Sequence, residues 1–199
     1  MGASVGVAHG MEKAMGHDAM RRTVAVIGDS TFIHSGITGL INTVYNGGTS
    51  TVIILDNGIT GMTGHQQNPM TGLTLKGKKT KSVDLVKLCQ AVGVERVRVV
   101  DPFDLEATEK AVREEIAAEE PSVIITRRPC ALLKTATFKG QLSINRDKCR
   151  NCKACKRIGC PAIMDRGDHM EMNIALCVGC HLCKNLCKFS AMERMGDRI

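Results

Sequence analysis

Eight of the ten cysteines in this chain fall into two copies of one spacing. The first copy reads C-x2-C-x2-C-x4-C-P and the second reads C-x2-C-x2-C-x3-C. Three thiolates spaced this closely reach three corners of one iron–sulfur cubane, whereas the fourth cysteine lies too far along the chain and ligates the other cluster. The spacing therefore predicts two [4Fe–4S] clusters with crossed ligand sets: Cys149, Cys152, Cys155 and Cys187 for one, and Cys177, Cys180, Cys183 and Cys160 for the other.

Structural zinc is the alternative for these cysteines, because C-x2-C pairs also bind zinc. Zinc ligands usually come as two pairs separated by a spacer. Here each copy has three closely spaced cysteines and a fourth further along, and Pro161 follows Cys160. Disulfides fit less well, since cysteines three positions apart in tight loops suit metal binding better than cross-linking. Of the two remaining cysteines, we expect Cys89 in the core and Cys130 in a structural role.

The charge of the chain is concentrated around the cysteines. The formal net charge is +7, and residues 139–199 contain twelve Lys or Arg against six Asp or Glu. Two four-thiolate clusters of about −2 each would bring the holoprotein to roughly +3. Trp is absent and Tyr45 is the only tyrosine, so aromatic platforms for stacked bases are lacking. We therefore expect no nucleic-acid partner.

Apolar runs and helical patterns alternate before the cysteines. This rhythm predicts an α/β fold with an open parallel sheet and right-handed crossovers. The predicted strands are 23–28, 51–56, 96–101 and 122–126, and the predicted helices are 37–46, 83–92 with Ser82 as N-cap, and 105–118 with Asp104 as N-cap. The composition changes near residues 138–140, so we predict one domain over 1–138 and a small α+β domain over 139–199. No stretch approaches the ~18 apolar residues of a membrane span, and we expect a cytoplasmic protein without a membrane partner.

Two predicted strand ends carry oxygen-bearing side chains. Gly28-Asp29-Ser30 closes the first strand, and Asp56-Asn57 closes the second. Open α/β sheets bind ligands at this edge, and carboxylate, amide and main-chain oxygens suit Mg²⁺. The turn after Gly28 can direct N–H groups at a phosphate. Asp and Asn are also ordinary turn residues, so the spacing alone leaves the metal interpretation open.

The loop that follows, residues 57–81, is long and irregular. It contains five glycines and one proline, and unstructured loops of this length are usually functional. Thr60, Thr63 and Gln66, together with His9, His34 and His65, lie in or near the proposed ligand site. Each could contact a ligand, or face water as a loop residue.

The two strand ends resemble the thiamine-diphosphate motif, which reads GDG followed further along by NN. Ser30 stands where the motif has its last glycine, and Asp56 where it has its first asparagine. By this resemblance, Asp29, the Asn57 side chain and the Ile59 carbonyl bind Mg²⁺. The cofactor-binding residues that the resemblance implies are Gly28, Asp29, Ser30, Asn57, Ile59 and Thr60.

The longer run from Gly28 to Gly72, preceded by MGASVGVAHG, resembles the alpha subunits of indolepyruvate:ferredoxin oxidoreductases. In that family a thiamine-diphosphate domain is followed by a two-cluster ferredoxin domain, so the resemblance covers essentially the whole chain. It implies a sheet of the thiamine-diphosphate-binding type and a small ferredoxin domain. It also implies oxidative decarboxylation of an aryl 2-oxo acid to an acyl-CoA, with a beta subunit, coenzyme A and an external ferredoxin as partners.

Family members also have a preceding domain whose glutamate activates the cofactor. No acidic residue lies before Glu12, so we expect this chain to be the C-terminal piece of a longer subunit, inactive by itself and without an assignable catalytic residue. Two other functions stay open: a related oxidoreductase for pyruvate or a branched-chain 2-oxo acid, and an electron-transfer module without catalysis of its own.

Overall fold

The computed structural model describes residues 1–134 and 136–195. These residues belong to two compact units, Met1–Cys130 and Ala131–Ile199. The predicted domain boundary after residue 138 lies inside the second unit and stays a prediction.

The first unit is built on a four-stranded parallel sheet in the order β1-β2-β4-β3. Neighbouring strands pair in register from their first residues, with Val24 opposite Thr51 and Thr51 opposite Ser122. All four carboxyl ends therefore meet at one edge, as the open-sheet prediction requires. In chain order the elements are α1 (Ala3–Met15), β1 (Val24–Gly28), α2 (Asp29–Thr31), α3 (Ile37–Tyr45), β2 (Thr51–Asp56), α4 (Leu85–Ala91), β3 (Arg96–Val100), α5 (Leu105–Ile116) and β4 (Ser122–Arg127).

One face of this sheet forms the main core. Alternate strand residues such as Ile27, Ile54 and Ile125 pack with Leu40 of α3 and Leu85 of α4. Side chains alternate between the two faces of a strand, so the β-branched runs of the sequence bury every second residue here. The same alternation determines which face of the sheet the side chain at each strand end points to.

Helix boundaries follow local capping. Asp104 accepts a hydrogen bond from the Ala107 amide at the start of α5, as predicted. The prediction of Ser82 as the N-cap of α4 was wrong, because Asp84 Oδ1 accepts from the Val86 and Lys87 amides. An aspartate at the N-cap satisfies the otherwise unpaired first amides of a helix.

The long loop is folded back on itself by local pairing. Thr60 and Gln66 exchange main-chain hydrogen bonds, and Leu73 bridges Lys79. Asn68 is buried and its main-chain and side-chain oxygens accept hydrogen bonds from the turn that follows. The segment that follows β2 is therefore folded by hydrogen bonds between its own residues.

Among its described residues, the second unit contains two antiparallel strand pairs and three short helical elements, one of which is the 3₁₀ turn Ile174–Leu176. β5 (Leu142–Ile144) pairs with β8 (Met192–Arg194), and β6 (Ile163–Asp165) pairs with β7 (Met170–Met172). A 3₁₀ turn, Ala154–Ile158, contains the third cysteine of the first copy, and α6 (Leu182–Leu186) contains the third cysteine of the second. Each half thus combines a cysteine loop with a helical turn, as the internal duplication leads one to expect.

Within residues 1–134 and 136–195, no helix is long and apolar enough to cross a membrane.

Candidate cofactor and cluster sites

Asp29 lies at the carboxyl end of β1 with one carboxylate oxygen unpaired. Its side chain is 2% exposed, and Oδ1 accepts a hydrogen bond of 2.5 Å from the Ser30 amide. Oδ2 is buried without a hydrogen-bond partner among the described residues. Burial raises the pKa of this carboxyl, and the Asp56 carboxylate adds to the effect, while the Ser30 amide opposes it. A buried, unpaired carboxylate oxygen is costly unless a cation or donor satisfies it.

The residues after β2 lie next to Asp29. The Gly58 amide and the Asn68 side chain lie close enough to Asp29 to favour its ionised form and to oppose the rise in its pKa. Asn57 Oδ1 accepts from the Ile59 amide at 3.0 Å. Asn57 is partly exposed and Ile59 is 4% exposed. The two predicted strand ends therefore converge at one point of the edge.

Ser30 and Thr60 connect the two strand ends directly. Thr60 Oγ1 donates to Ser30 Oγ at 2.8 Å, and the Thr60 main chain begins the paired segment of the loop. Gly28 has no side chain facing this site, with open space where a Cβ would stand. The helical segment that begins at Asp29 presents its first amides at this edge, which favours an anion there.

The donor set fits Mg²⁺ and a diphosphate. Asp29 Oδ2 has no hydrogen-bond partner among the described residues, and Gly58, which follows β2, comes close to Asp29. The Asn57 amide oxygen and the main-chain carbonyls of the same segment would complete the all-oxygen set that Mg²⁺ prefers. Among the residues that the structure describes, no three His, Cys, Asp or Glu side chains converge as a site for a single metal ion. The candidate Mg²⁺ set has one carboxylate only, and it depends on phosphate oxygens and water for the remaining ligands.

Asn68 and Arg127 were missed by the sequence reasoning. Asn68 lies in the loop beside Asp29, and its Nδ2 is buried without a partner among the described residues. Arg127 Nε donates to Asp56 Oδ2 at 2.7 Å. This pair borders a cavity of about 440 Å³ between the loop, α4 and the end of β4. The dipeptide Asn68-Pro69 is a turn signal, but nothing in the sequence places it against β1.

The histidines are distributed differently from the prediction. His34 and His65 are exposed, and their side chains make no hydrogen bond or ion pair within the described part of the chain. The placement of His9 near the cofactor site was wrong. His9 is 6% exposed and lies 3.6 Å from Glu12, whose carboxylate accepts from Thr49. Thr49 precedes β2, so His9 belongs to the amino edge of the sheet, about 17 Å away along a strand of this length.

The first candidate cluster site gathers the cysteines that the crossed scheme joins. Cys149, Cys152, Cys155 and Cys187 line one small cavity with the apolar side chains of β5 and β8. Burial raises the pKa of Cys155, and the thiols that add to this effect are those of Cys149, Cys152 and Cys187. Four thiols from two distant segments therefore surround one space.

The second candidate site mirrors the first. Burial raises the pKa of Cys183 to about 12, and the thiols of Cys180, Cys160 and Cys177 add to this effect more than that of Cys155 does. The fourth cysteine of each group therefore comes from the other copy of the motif. Protonated, partly buried thiols of this kind become ligands only when a metal centre displaces their protons.

The other two cysteines lie in the first unit. Cys89 is fully buried in the core, as predicted, and burial raises its pKa to about 12. Cys130 is partly exposed, and its amide donates to the Asn57 carbonyl at 2.9 Å. Its main chain is therefore hydrogen-bonded to the residue that follows β2, which is consistent with the structural role that we expected.

Known proteins resemble this chain both in its first unit and over nearly its whole length. Residues 1–126 match the family described as thiamine pyrophosphate enzyme, C-terminal TPP binding domain. The chain is 35% identical over 216 residues to the indolepyruvate oxidoreductase subunit IorA of Pyrococcus horikoshii, covering 99% of this chain and 33% of that protein. It is 38% identical over 203 residues to the subunit of the same name from Archaeoglobus fulgidus, covering 97% and 31%. The chain thus spans about a third of the length of these curated relatives.

A solved structure shares the fold. It is the 2-oxoglutarate:ferredoxin oxidoreductase from Magnetococcus marinus with 2-oxoglutarate, coenzyme A and succinyl-CoA bound. The TM-score is 0.51 at 16% identity, over 64% of this chain and 47% of that chain. The predicted sheet type is confirmed by this likeness, and the predicted resemblance to the alpha subunits is confirmed by the two alignments.

Proposed function

The chain belongs to the thiamine pyrophosphate enzymes with a C-terminal TPP binding domain, and we propose that it is the part of a 2-oxo acid oxidoreductase that anchors the cofactor and carries electrons away. The substrate class is an aryl 2-oxo acid, with indolepyruvate as the representative. The products are an acyl-CoA, CO₂ and two electrons for an external ferredoxin. Support for this choice comes from the 32–38% identity to subunits named for indolepyruvate.

One observation supports the function most: Asp29 Oδ2 is buried, unpaired and beside the end of β2. Asp29, the Asn57 side chain and the Ile59 carbonyl would hold Mg²⁺, and the ion would fix the diphosphate at the carboxyl edge of the sheet. Gly28 leaves room for close approach, while Ser30 and Thr60 fasten the loop around the site. When bound, thiamine diphosphate supplies the nucleophilic carbon and the electron sink for decarboxylation.

The cysteine groups support the electron-carrying half of the proposal. Oxidation of one 2-oxo acid releases two electrons, and each [4Fe–4S] cluster accepts one. Cys149, Cys152, Cys155 and Cys187 would hold the first cluster. A second cluster would be held by Cys160, Cys177, Cys180 and Cys183. Two one-electron carriers in one small unit therefore match the stoichiometry of the reaction.

The rest of the activity requires chains beyond these residues. The curated relatives are about three times as long, so we propose that a longer polypeptide and a beta subunit complete the substrate and coenzyme A sites. Residues 1–199 alone are then expected to accept electrons without turning over a 2-oxo acid. Reduced thiolates that ligate clusters require a reducing compartment, and we place the enzyme in the cytoplasm.

Metal and cofactor analysis tests the proposal first. Anaerobically reconstituted chain should contain close to eight iron and eight sulfide per polypeptide, as two [4Fe–4S] clusters require. About four iron, or stoichiometric zinc, would contradict the assignment. Turnover of indolepyruvate, phenylpyruvate and pyruvate by the complete two-subunit enzyme then decides the substrate class. Preference for pyruvate or a branched-chain acid would replace indolepyruvate, and failure with all three acids would favour an electron-transfer module.

A further inference from the structure

The duplicated cysteine loops differ in the residues between their cysteines. The loop from Cys149 carries four cationic side chains, all of them exposed. We call this set the basic rim: Arg150, Lys153, Lys156 and Arg157. The positions 28 residues later hold Val178, His181, Lys184 and Asn185, so only one cation is repeated. The backbone framework is shared by both loops, but the positive charge belongs to one of them.

Most of this charge is not neutralised locally. Lys153 and Lys156 share one carboxylate, Asp165, at 3.1 and 3.0 Å. The side chains of Arg150 and Arg157 make no ion pair or hydrogen bond with any other described residue. An arginine without an internal partner presents all its donors outward in a fixed planar fork, which suits carboxylates. The basic rim therefore has two guanidinium groups available for a carboxylate-rich surface.

The basic rim also surrounds the most accessible cysteine. Cys152 is exposed, whereas Cys180, which occupies the corresponding place in the second loop, is only partly exposed. Arg150, Lys153 and Cys152 line the same cavity as Cys155 and Cys187. Electron transfer slows steeply with distance, so a partner that contacts this corner has the shortest route to a cluster in that cavity.

We infer that the basic rim is the docking surface for an acidic electron-carrier protein, and that electrons leave the chain through the cluster held by Cys149, Cys152, Cys155 and Cys187. This inference rests on the proposed function, because it requires clusters in the two cysteine groups. In each encounter one electron passes from that reduced cluster to the oxidised carrier, so the cluster is oxidised by one electron and the carrier reduced by one. The opposite charges speed the encounter, and added salt slows it.

Charge reversal at the two unpaired arginines tests the docking surface. The full 199-residue chain is reconstituted with clusters, reduced with dithionite, freed of excess reductant, and mixed in a stopped-flow instrument with an oxidised acidic plant-type [2Fe–2S] ferredoxin. The double variant Arg150→Glu and Arg157→Glu should lower the second-order rate constant about tenfold at low salt and remove most of its salt dependence. Its rate with a small neutral flavin should stay that of wild type.

A control variant with the same change of net charge separates docking from general electrostatics. Arg22→Glu with Lys184→Glu alters two exposed cations outside the basic rim and should leave the ferredoxin rate within about twofold of wild type. Iron content and the visible spectrum of every variant report whether Arg150→Glu disturbs its neighbour Cys149, and Arg150→Gln with Arg157→Gln provides a milder pair if it does.

The outcomes separate a failure of the docking surface from a failure of the proposed function. Equal rates for the rim variant and wild type, or an equal loss in the control variant, would overturn the docking surface while leaving the function intact. Wild-type chain that assembles no cluster would overturn both. Because dithionite supplies the electrons, inability of the complete enzyme to oxidise 2-oxo acids would leave the docking result unchanged.

Discussion

The Thr60 hydroxyl donates a hydrogen bond of 2.8 Å to the Ser30 hydroxyl and so joins the turn after β1 to the loop after β2. Ser30 is the position at which this chain departs from the GDG motif, and a glycine there could not make the bond. The substitution therefore has a physical use in this chain: it fixes the start of the loop above Asp29.

A double-mutant cycle measures this connection. Ser30→Ala and Thr60→Val should each lower the free energy of unfolding, and their combined effect should fall short of additivity by about 1 kcal/mol, the usual worth of one such bond. Denaturant unfolding of the chain gives the four values. Thr63 and Gln66 form an exposed pair at 2.7 Å and provide the control cycle, with an expected coupling near zero. Strict additivity for Ser30 and Thr60 would mean that the bond does not hold the loop.

The variant Asp29→Asn tests whether the buried carboxylate lowers the stability of the metal-free protein. In the metal-free protein, burial raises the pKa of Asp29, so the folded state loses stability as the pH rises from the unfolded value of about 3.9 up to the raised pKa of the folded state. Above that range the penalty stays constant. The asparagine variant should therefore be at least as stable as wild type at neutral pH, measured by thermal unfolding without metal. Lower stability of the variant at pH 7 would show that the carboxylate is satisfied by protein groups.

The same variant should lose the Mg²⁺-dependent affinity of the complete enzyme for thiamine diphosphate, because an amide oxygen is a much weaker Mg²⁺ ligand than a carboxylate. Asn57→Ala should have a similar effect. Asp18→Asn, on an exposed turn outside the site, is the matched control and should bind the cofactor normally. Wild-type affinity in both site variants would place the Mg²⁺ elsewhere.

Crossed ligation predicts which cluster each cysteine variant damages. Cys187→Ala should impair the cluster near Cys155, because Cys187 lines the same cavity as Cys155. Cys160→Ala should impair the cluster near Cys183, because the Cys160 thiol acts on the pKa of Cys183. Electron paramagnetic resonance of the reduced variants should show loss of one cluster signal in each, and a different one. Damage by each variant to the cluster of its own motif copy would contradict the scheme.

Glu115 anchors α5 to β3 at the amino edge of the sheet. It is fully buried and binds Arg96 Nε at 2.8 Å and the Arg98 guanidinium. Glu115→Ala should cost about 2 kcal/mol of unfolding free energy, because it removes hydrogen bonds between charged groups, although Arg96 keeps Glu120 and Arg98 keeps Glu114 as partners. Glu109→Ala removes an exposed pair with Arg113 on the same helix and should cost less than about 0.5 kcal/mol. Similar losses for both would show that burial does not strengthen the Glu115 pair.

The strands were predictable because each is a short β-branched run that ends at or directly before a charged residue, and β2 occupies the predicted residues 51–56. The helix α1 was not foreseen, since its two glycines and three alanines give a weak apolar period. The position of β4 between β2 and β3 depends on packing rather than on any local signal. The strand ends with Asp29 and Asn57 follow from the sheet, whereas the approach of Asn68 to Asp29 depends on how the long loop folds back.

The two groups of cysteines follow more directly from the sequence, because the spacing limits which thiols could reach one cluster, and ligation of clusters by these groups stays a prediction. The asymmetry of charge between the two loops is also visible in the sequence. The greater exposure of Cys152 than of Cys180 is not, since it depends on how the loops and short strands around each site pack.

The most direct test of the account is reduction of the clusters by substrate. The complete two-subunit enzyme, oxidised and free of external acceptor, is mixed anaerobically with indolepyruvate and coenzyme A and frozen for electron paramagnetic resonance. We predict the signals of reduced [4Fe–4S] clusters in wild type and none in Asp29→Asn, whose clusters dithionite should still reduce. Silent clusters in wild type, or equal signals in Asp29→Asn, would contradict the claim that a cofactor anchored at Asp29 feeds electrons to the cysteine-rich unit.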